Sequence, residues 1–118
     1  MRFSLLKAAQ ITAWLLAAVI TVLSVVPPWL RPETGAPHDF EHFAIFFVTG
    51  VTFGFGYWRK LFVVTIALVV FAGMIEFIQL FVPGRHARLS DLIVDALALS
   101  VGAILGTIFA AQTLRQGV

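Results

Sequence analysis

The 118-residue chain contains no cysteine, so it has neither a disulfide framework nor a thiolate metal site. Charge is scarce as well: 12% of its residues are Asp, Glu, Lys or Arg, against roughly 25% in a typical globular chain. With 60% apolar residues, that shortage excludes an ordinary soluble domain. A net charge of +2 rests on too few groups to argue for a nucleic-acid partner. The chain also lacks a Ser-His-Asp order, a phosphate-binding glycine loop and a zinc motif, so no reaction class is fixed by motif.

What the chain has is long apolar runs. A helix needs about 20 residues to cross a bilayer and about 17 at the short end. The first run, Ala8 to Val26, stops at Pro27-Pro28, because proline donates no backbone hydrogen bond and disfavours helix before it. The second, Phe43 to Trp58, is the shortest and borrows a turn from Asp39 to His42 if it is to cross. The third runs from Leu61 to Val82 and ends at Pro83-Gly84. Ser90 or Asp91 caps the fourth, which continues to Ala111. Only Arg59-Lys60 separates the second and third, which predicts antiparallel neighbours. The expected fold is therefore all-α, a polytopic four-helix membrane bundle formed by one domain, residues 1–118. The first run is longer than a signal-peptide core and has no convincing cleavage site before Pro27, so it is expected to be a retained helix.

Arg2, Lys7, Arg59, Lys60 and Arg115 fall on one side of this bundle without acidic neighbours. Arg31, Arg85 and Arg88 fall on the other, together with all six acids: Glu33, Asp39, Glu41, Glu76, Asp91 and Asp95. The positive-inside rule then predicts both termini in the cytoplasm and an outward-facing polar side. Trp29 and Trp58 sit at span ends as interfacial anchors, whereas Trp14 lies inside the first helix and is expected to pack.

Glu76 and Asp95 interrupt runs that are otherwise apolar, and a carboxylate in hydrocarbon is costly enough to be placed against protein, water or a partner charge. Glu76 and Gln79 are three apart and share a helix face. Asp91 and Asp95 are four apart, and Ala98, Gly102 and Gly106 continue their stripe. Small residues permit close helix approach in lipid, which places Asp95 in a helix contact. Gly50 and Gly54 give the second helix a similar surface, a weak signal by itself. Glu76 and Asp95 are thus expected at similar depth on facing helices, where each needs a cation or a proton. Arg85 and Arg88 are the cations at hand, suited to carboxylate or phosphate through two hydrogen bonds. The plainer alternative is an ion-pair network that only fixes helix register. His38 and His42 flank Asp39 and Glu41, but no closed ligand set accompanies them, so neither a metal nor a cofactor is expected.

Glu76-Phe77-Ile78-Gln79 with Pro83-Gly84-Arg85, then Ser90-Asp91 and Asp95 ahead of the Gly102/Gly106 helix, resembles the VanZ-like family. Asp39 and His42-Phe43 before an aromatic run resemble that family's other signature. The family consists of small bacterial membrane proteins named for one linked to teicoplanin resistance. Two positions depart from its pattern: no lysine follows Asp39, which stands three residues before His42 instead of four, and Asp95 replaces a frequent Asn. The resemblance implies a multi-pass protein of the bacterial plasma (inner) membrane and a link to glycopeptide tolerance, but no reaction.

The residues point to a site for an anionic lipid-linked or cell-wall ligand. Asp39, Gln79, Arg85, Arg88 and Asp91 are candidates for binding it, and Glu76, Asp95 and His42 for proton transfer. Catalysis and binding remain open. A transport or structural subunit, as a homo-oligomer or within a larger envelope complex, is the alternative, with membrane lipids as partners in every case.

Overall fold

Backbone groups inside a bilayer have no water to bond, so each apolar run must close its own hydrogen bonds, and a helix does so. The computed structural model describes residues 2–25, 38–81 and 89–116. It comprises α1 (Arg2–Val25), α2 (His38–Gly56), a 3₁₀ turn (Trp58–Lys60), α3 (Leu61–Gln79) and α4 (Leu89–Gln116). Among the described residues there is no strand. Three segments, Ser4–Val25, Trp58–Gln79 and Leu92–Leu114, are long and apolar enough to cross a membrane. The apolar part of α2, Phe43–Gly56, is shorter. Its polar first turns bring the helix to 19 residues, about 28 Å at 1.5 Å per residue.

Helix ends depart from the expected ones in physically readable ways. α2 is helical from His38, directly after Pro37, a residue suited to helix starts. α3 ends at Gln79, three residues ahead of Val82. Its last bonds tighten to three-residue spacing, Leu80 N–H to Phe77 O at 3.2 Å and Phe81 N–H to Ile78 O at 3.0 Å. Ser90 and Asp91 stand inside the first turn of α4, not ahead of it, because the helix already begins at Leu89. At its far end α4 runs past Ala111 to Gln116, through residues of good helix propensity.

The closest packing joins α2 and α4. A Cβ on Gly50 would overlap the Leu99 carbonyl oxygen, and one on Gly54 that of Ala103. Reciprocally, Gly102 abuts Phe47 O and Gly106 abuts Val51 O. Both numberings rise together along this contact, so α2 and α4 are parallel. Thr107 Oγ1 donates across it to Gly54 O at 3.2 Å. Such backbone approach is available only to small residues and supplies dispersion contacts where lipid offers no hydrophobic drive.

α1 runs antiparallel to α2: Gln10 Nε2 donates to Gly56 O at 2.9 Å, and Trp14 packs edge-on against Phe53 at 5.2 Å. The 3₁₀ turn reverses the chain, so α3 is antiparallel to both α2 and α4. The expected pairing of α2 with α3 is corrected here, since α3 packs mainly against α4 and touches α2 little. The glycine contact commits one face of α2 to α4, and α1 covers another. Buried hydroxyls are satisfied on their own helices: Ser24 donates to Ile20 O at 2.6 Å and Thr49 to Ile45 O at 2.7 Å.

Candidate functional site

This topology sorts the charges. The first turns of α2 and α4 and the last turn of α3 share one end of the bundle, which carries Asp39, Glu41, Glu76, Asp91 and Asp95. Lys7, Arg59, Lys60 and Arg115 belong to the opposite end. We call these the acidic and basic ends.

Two carboxylates are buried at the acidic end. Asp95 is 1% exposed and Glu76 7%, with Gln79 beside Glu76 at 5%. Asp95 lies three residues inside the start of the Leu92–Leu114 span, and Glu76 three residues inside the end of Trp58–Gln79. Each is therefore about 4.5 Å of helix rise from that end of its segment. Asp95 follows the α2-facing stripe of α4 upward from Gly102 through Leu99, and Glu76 belongs to the buried side of α3, which packs mainly on α4. Oε1 of Glu76 and Oδ2 of Asp95 are buried atoms that accept no hydrogen bond among the described residues, although neither residue is without an interaction.

The helix termini treat these groups differently. The carboxylates of α2 lie in that helix's first turns, where the partial positive charge of the N-terminus favours anions. Glu76 is near the C-terminus of α3, where the dipole opposes a negative charge.

The other expected residues fall around this pair. Glu41 is half-buried in the first turn of α2. In the α2–α4 register, Gly50 opposite Leu99 sets position 42 level with position 91, one turn closer to the helix ends than Asp95. Asp39, His42 and Asp91 are thus placed at the acidic end by their backbone, and their side chains lie outside what is described. Arg85 and Arg88 also lie outside the described residues. Among the described residues, no group of three or more His, Cys, Asp or Glu is arranged to hold a metal ion.

Sequence reasoning missed the Trp14–Tyr57 contact, in which the indole N–H donates to the phenol oxygen at 3.0 Å. Trp14 packs on Phe53 as expected, and it is also 61% exposed and ties α1 to Tyr57 just past the end of α2. The lone tyrosine at a span end was the available signal.

The VanZ/LLP1 family matches the chain over residues 4–110, a range that includes both buried carboxylates. Comparison with curated proteins and with solved structures finds no match.

Proposed function

Because the chain belongs to the VanZ/LLP1 family and is a multi-pass membrane protein of the cell envelope, we propose that its acidic end receives the anionic head group of a lipid-linked or cell-wall intermediate. One observation carries this reading: two carboxylates, Glu76 and Asp95, are buried at the same end of the bundle on the packed helices α3 and α4. Such groups cost stability in a bilayer, and sites that handle protons or charged ligands are where they concentrate.

In this reading Arg85 and Arg88, in the segment joining α3 to α4, grip a phosphate or carboxylate through paired N–H donors. Asp39, Gln79 and Asp91 orient the head group. Glu76 or Asp95 is the group to exchange a proton with it, with His42 a second candidate. The acidic end faces outward from the bacterial plasma membrane, with the basic end in the cytoplasm. In this reading, handling an envelope intermediate there would connect the protein to the glycopeptide tolerance for which the family is named.

The structural-subunit alternative loses its clearest docking surface. Gly50, Gly54, Gly102 and Gly106 meet within the chain, so these GxxxG faces are not presented to another protein.

The test is the profile of lipid-linked envelope intermediates in cells lacking the protein, complemented by wild type or by Glu76→Gln at equal membrane abundance. The expected result is a changed profile restored by wild type and not by the variant. An unchanged profile, or full rescue by Glu76→Gln, contradicts the proposal.

A further inference from the structure

A second feature lies away from the acidic end. Between α1 and α3, over Phe53 of α2, runs an apolar groove of about 560 Å³. Phe53 of α2 lines its depth, Ala17 and Ala18 one wall and Ala67 the other. Small side chains on both walls leave the space unfilled. Its few polar atoms are accounted for: Thr21 donates to Ala17 O at 2.9 Å, and the Tyr57 oxygen accepts the Trp14 N–H. Nothing inside the groove asks for a polar ligand.

Its mouth differs. Lys60 lines the groove where α3 begins, and Phe71 marks the far reach along the same helix. The eleven steps from Lys60 to Phe71 rise about 17 Å at 1.5 Å each. Half of a hydrocarbon core about 30 Å thick is about 15 Å, so the groove is one leaflet deep. Arg59 adjoins Lys60, its guanidinium 4.9 Å from the Trp58 ring centroid, an arrangement that holds the charge at the interface. Lys7, one turn before Gln10 and its bond to Gly56, brings a third exposed cation to this end. Every acidic residue in the described segments belongs to the opposite end.

We propose that this groove is a binding site for an anionic phospholipid of the leaflet at the basic end. One acyl chain lies between α1 and α3, and the phosphate sits at Lys60 with Arg59 and Lys7 around it. The apolar depth matches the chain, the basic mouth matches the head group, and the length matches a leaflet. A helix from a second copy fits poorly, because in the same membrane orientation it sets its own Lys7, Arg59 and Lys60 against these. This site is independent of the carboxylate pocket, and neither proposal requires the other.

Trp14 provides the test, since it lines the groove and is exposed. The chain carrying Trp29→Phe and Trp58→Phe retains Trp14 as its sole tryptophan. It is reconstituted in phosphatidylcholine vesicles with a small mole fraction of acyl-brominated phosphatidylglycerol or, separately, acyl-brominated phosphatidylcholine. The phosphatidylglycerol is expected to quench Trp14 at the lower mole fraction. Lys60→Gln is expected to reduce that preference about fivefold, the effect of one cation near an anionic head group. Ala67→Phe, which fills the groove, is expected to abolish it. Equal quenching by the two lipids overturns the proposal without any lysine or groove variant. So does a preference unchanged in Lys60→Gln, or quenching by both lipids that falls as protein density rises, which assigns the groove to a second copy.

Discussion

Glu76 and Asp95 are both buried at the acidic end of the bundle, on the antiparallel and mutually packed helices α3 and α4, each three residues from the end of its apolar helical segment. The relationship follows from topology. α3 arrives at the acidic end as α4 departs from it, so the end of one helix and the start of the next share that end. A carboxylate at the centre of a membrane helix costs about 2.5–3.5 kcal/mol on insertion scales, less toward the interface.

The glycine contact predicts a contrast between two substitutions of the same kind. Gly54→Ala drives a Cβ into the Ala103 backbone, which cannot move aside as a side-chain tip does. The variant should lose about 1–3 kcal/mol, the range for overpacking. Gly73→Ala meets nothing within 4 Å and sits mid-helix, so it should be neutral or gain about 0.5–1 kcal/mol. Unfolding of the purified protein in detergent micelles measures both, and equal effects would refute the α2–α4 register. Gly102→Leu would likewise damage folding, so it cannot serve to identify a docking face.

Tyr57→Phe removes the acceptor for the Trp14 indole while preserving the ring that stacks 6.3 Å from Phe53. Membrane hydrogen bonds average about 0.6 kcal/mol, so the stability loss should be of that order. Trp14 emission should shift, and an unchanged spectrum would show that the bond does not form.

Much of this was legible in the sequence. Pro27, Arg59-Lys60 and Pro83-Gly84 bracket the apolar runs, and the acids segregate from Lys7, Arg59, Lys60 and Arg115. The small-residue stripe that descends from Asp95 is the buried face of α4. Partner choice was harder to read. Helices that are apolar on all sides show little amphipathic contrast, so periodicity does not say which face meets which neighbour. Gly50 and Gly54 carried that information, but their spacing is common in membrane helices and acquires meaning only opposite Gly102 and Gly106. The α1–α3 groove was invisible for the same reason, because alanine at 17, 18 and 67 is unremarkable until it is seen to line both walls. The burial of Glu76 and Asp95 was anticipated from cost alone.

Orientation is tested by chemical access. A cysteine replacing Glu33 should react with an impermeant thiol reagent in intact cells once any outer membrane is permeabilised, and one replacing Gln116 should not. The chain has no native cysteine to interfere. The reverse pattern would turn the acidic end toward the cytoplasm and remove the proposed access to outer-leaflet intermediates.

The central claim is that Glu76 and Asp95 belong to one pocket, and a double-mutant cycle tests it most directly. Glu76→Gln, Asp95→Asn and the double variant keep side-chain size, and their unfolding free energies can be compared in one micelle. Residues sharing a site should couple by about 0.5–3 kcal/mol. Additivity within about 0.5 kcal/mol would place the two carboxylates in separate environments and contradict the account.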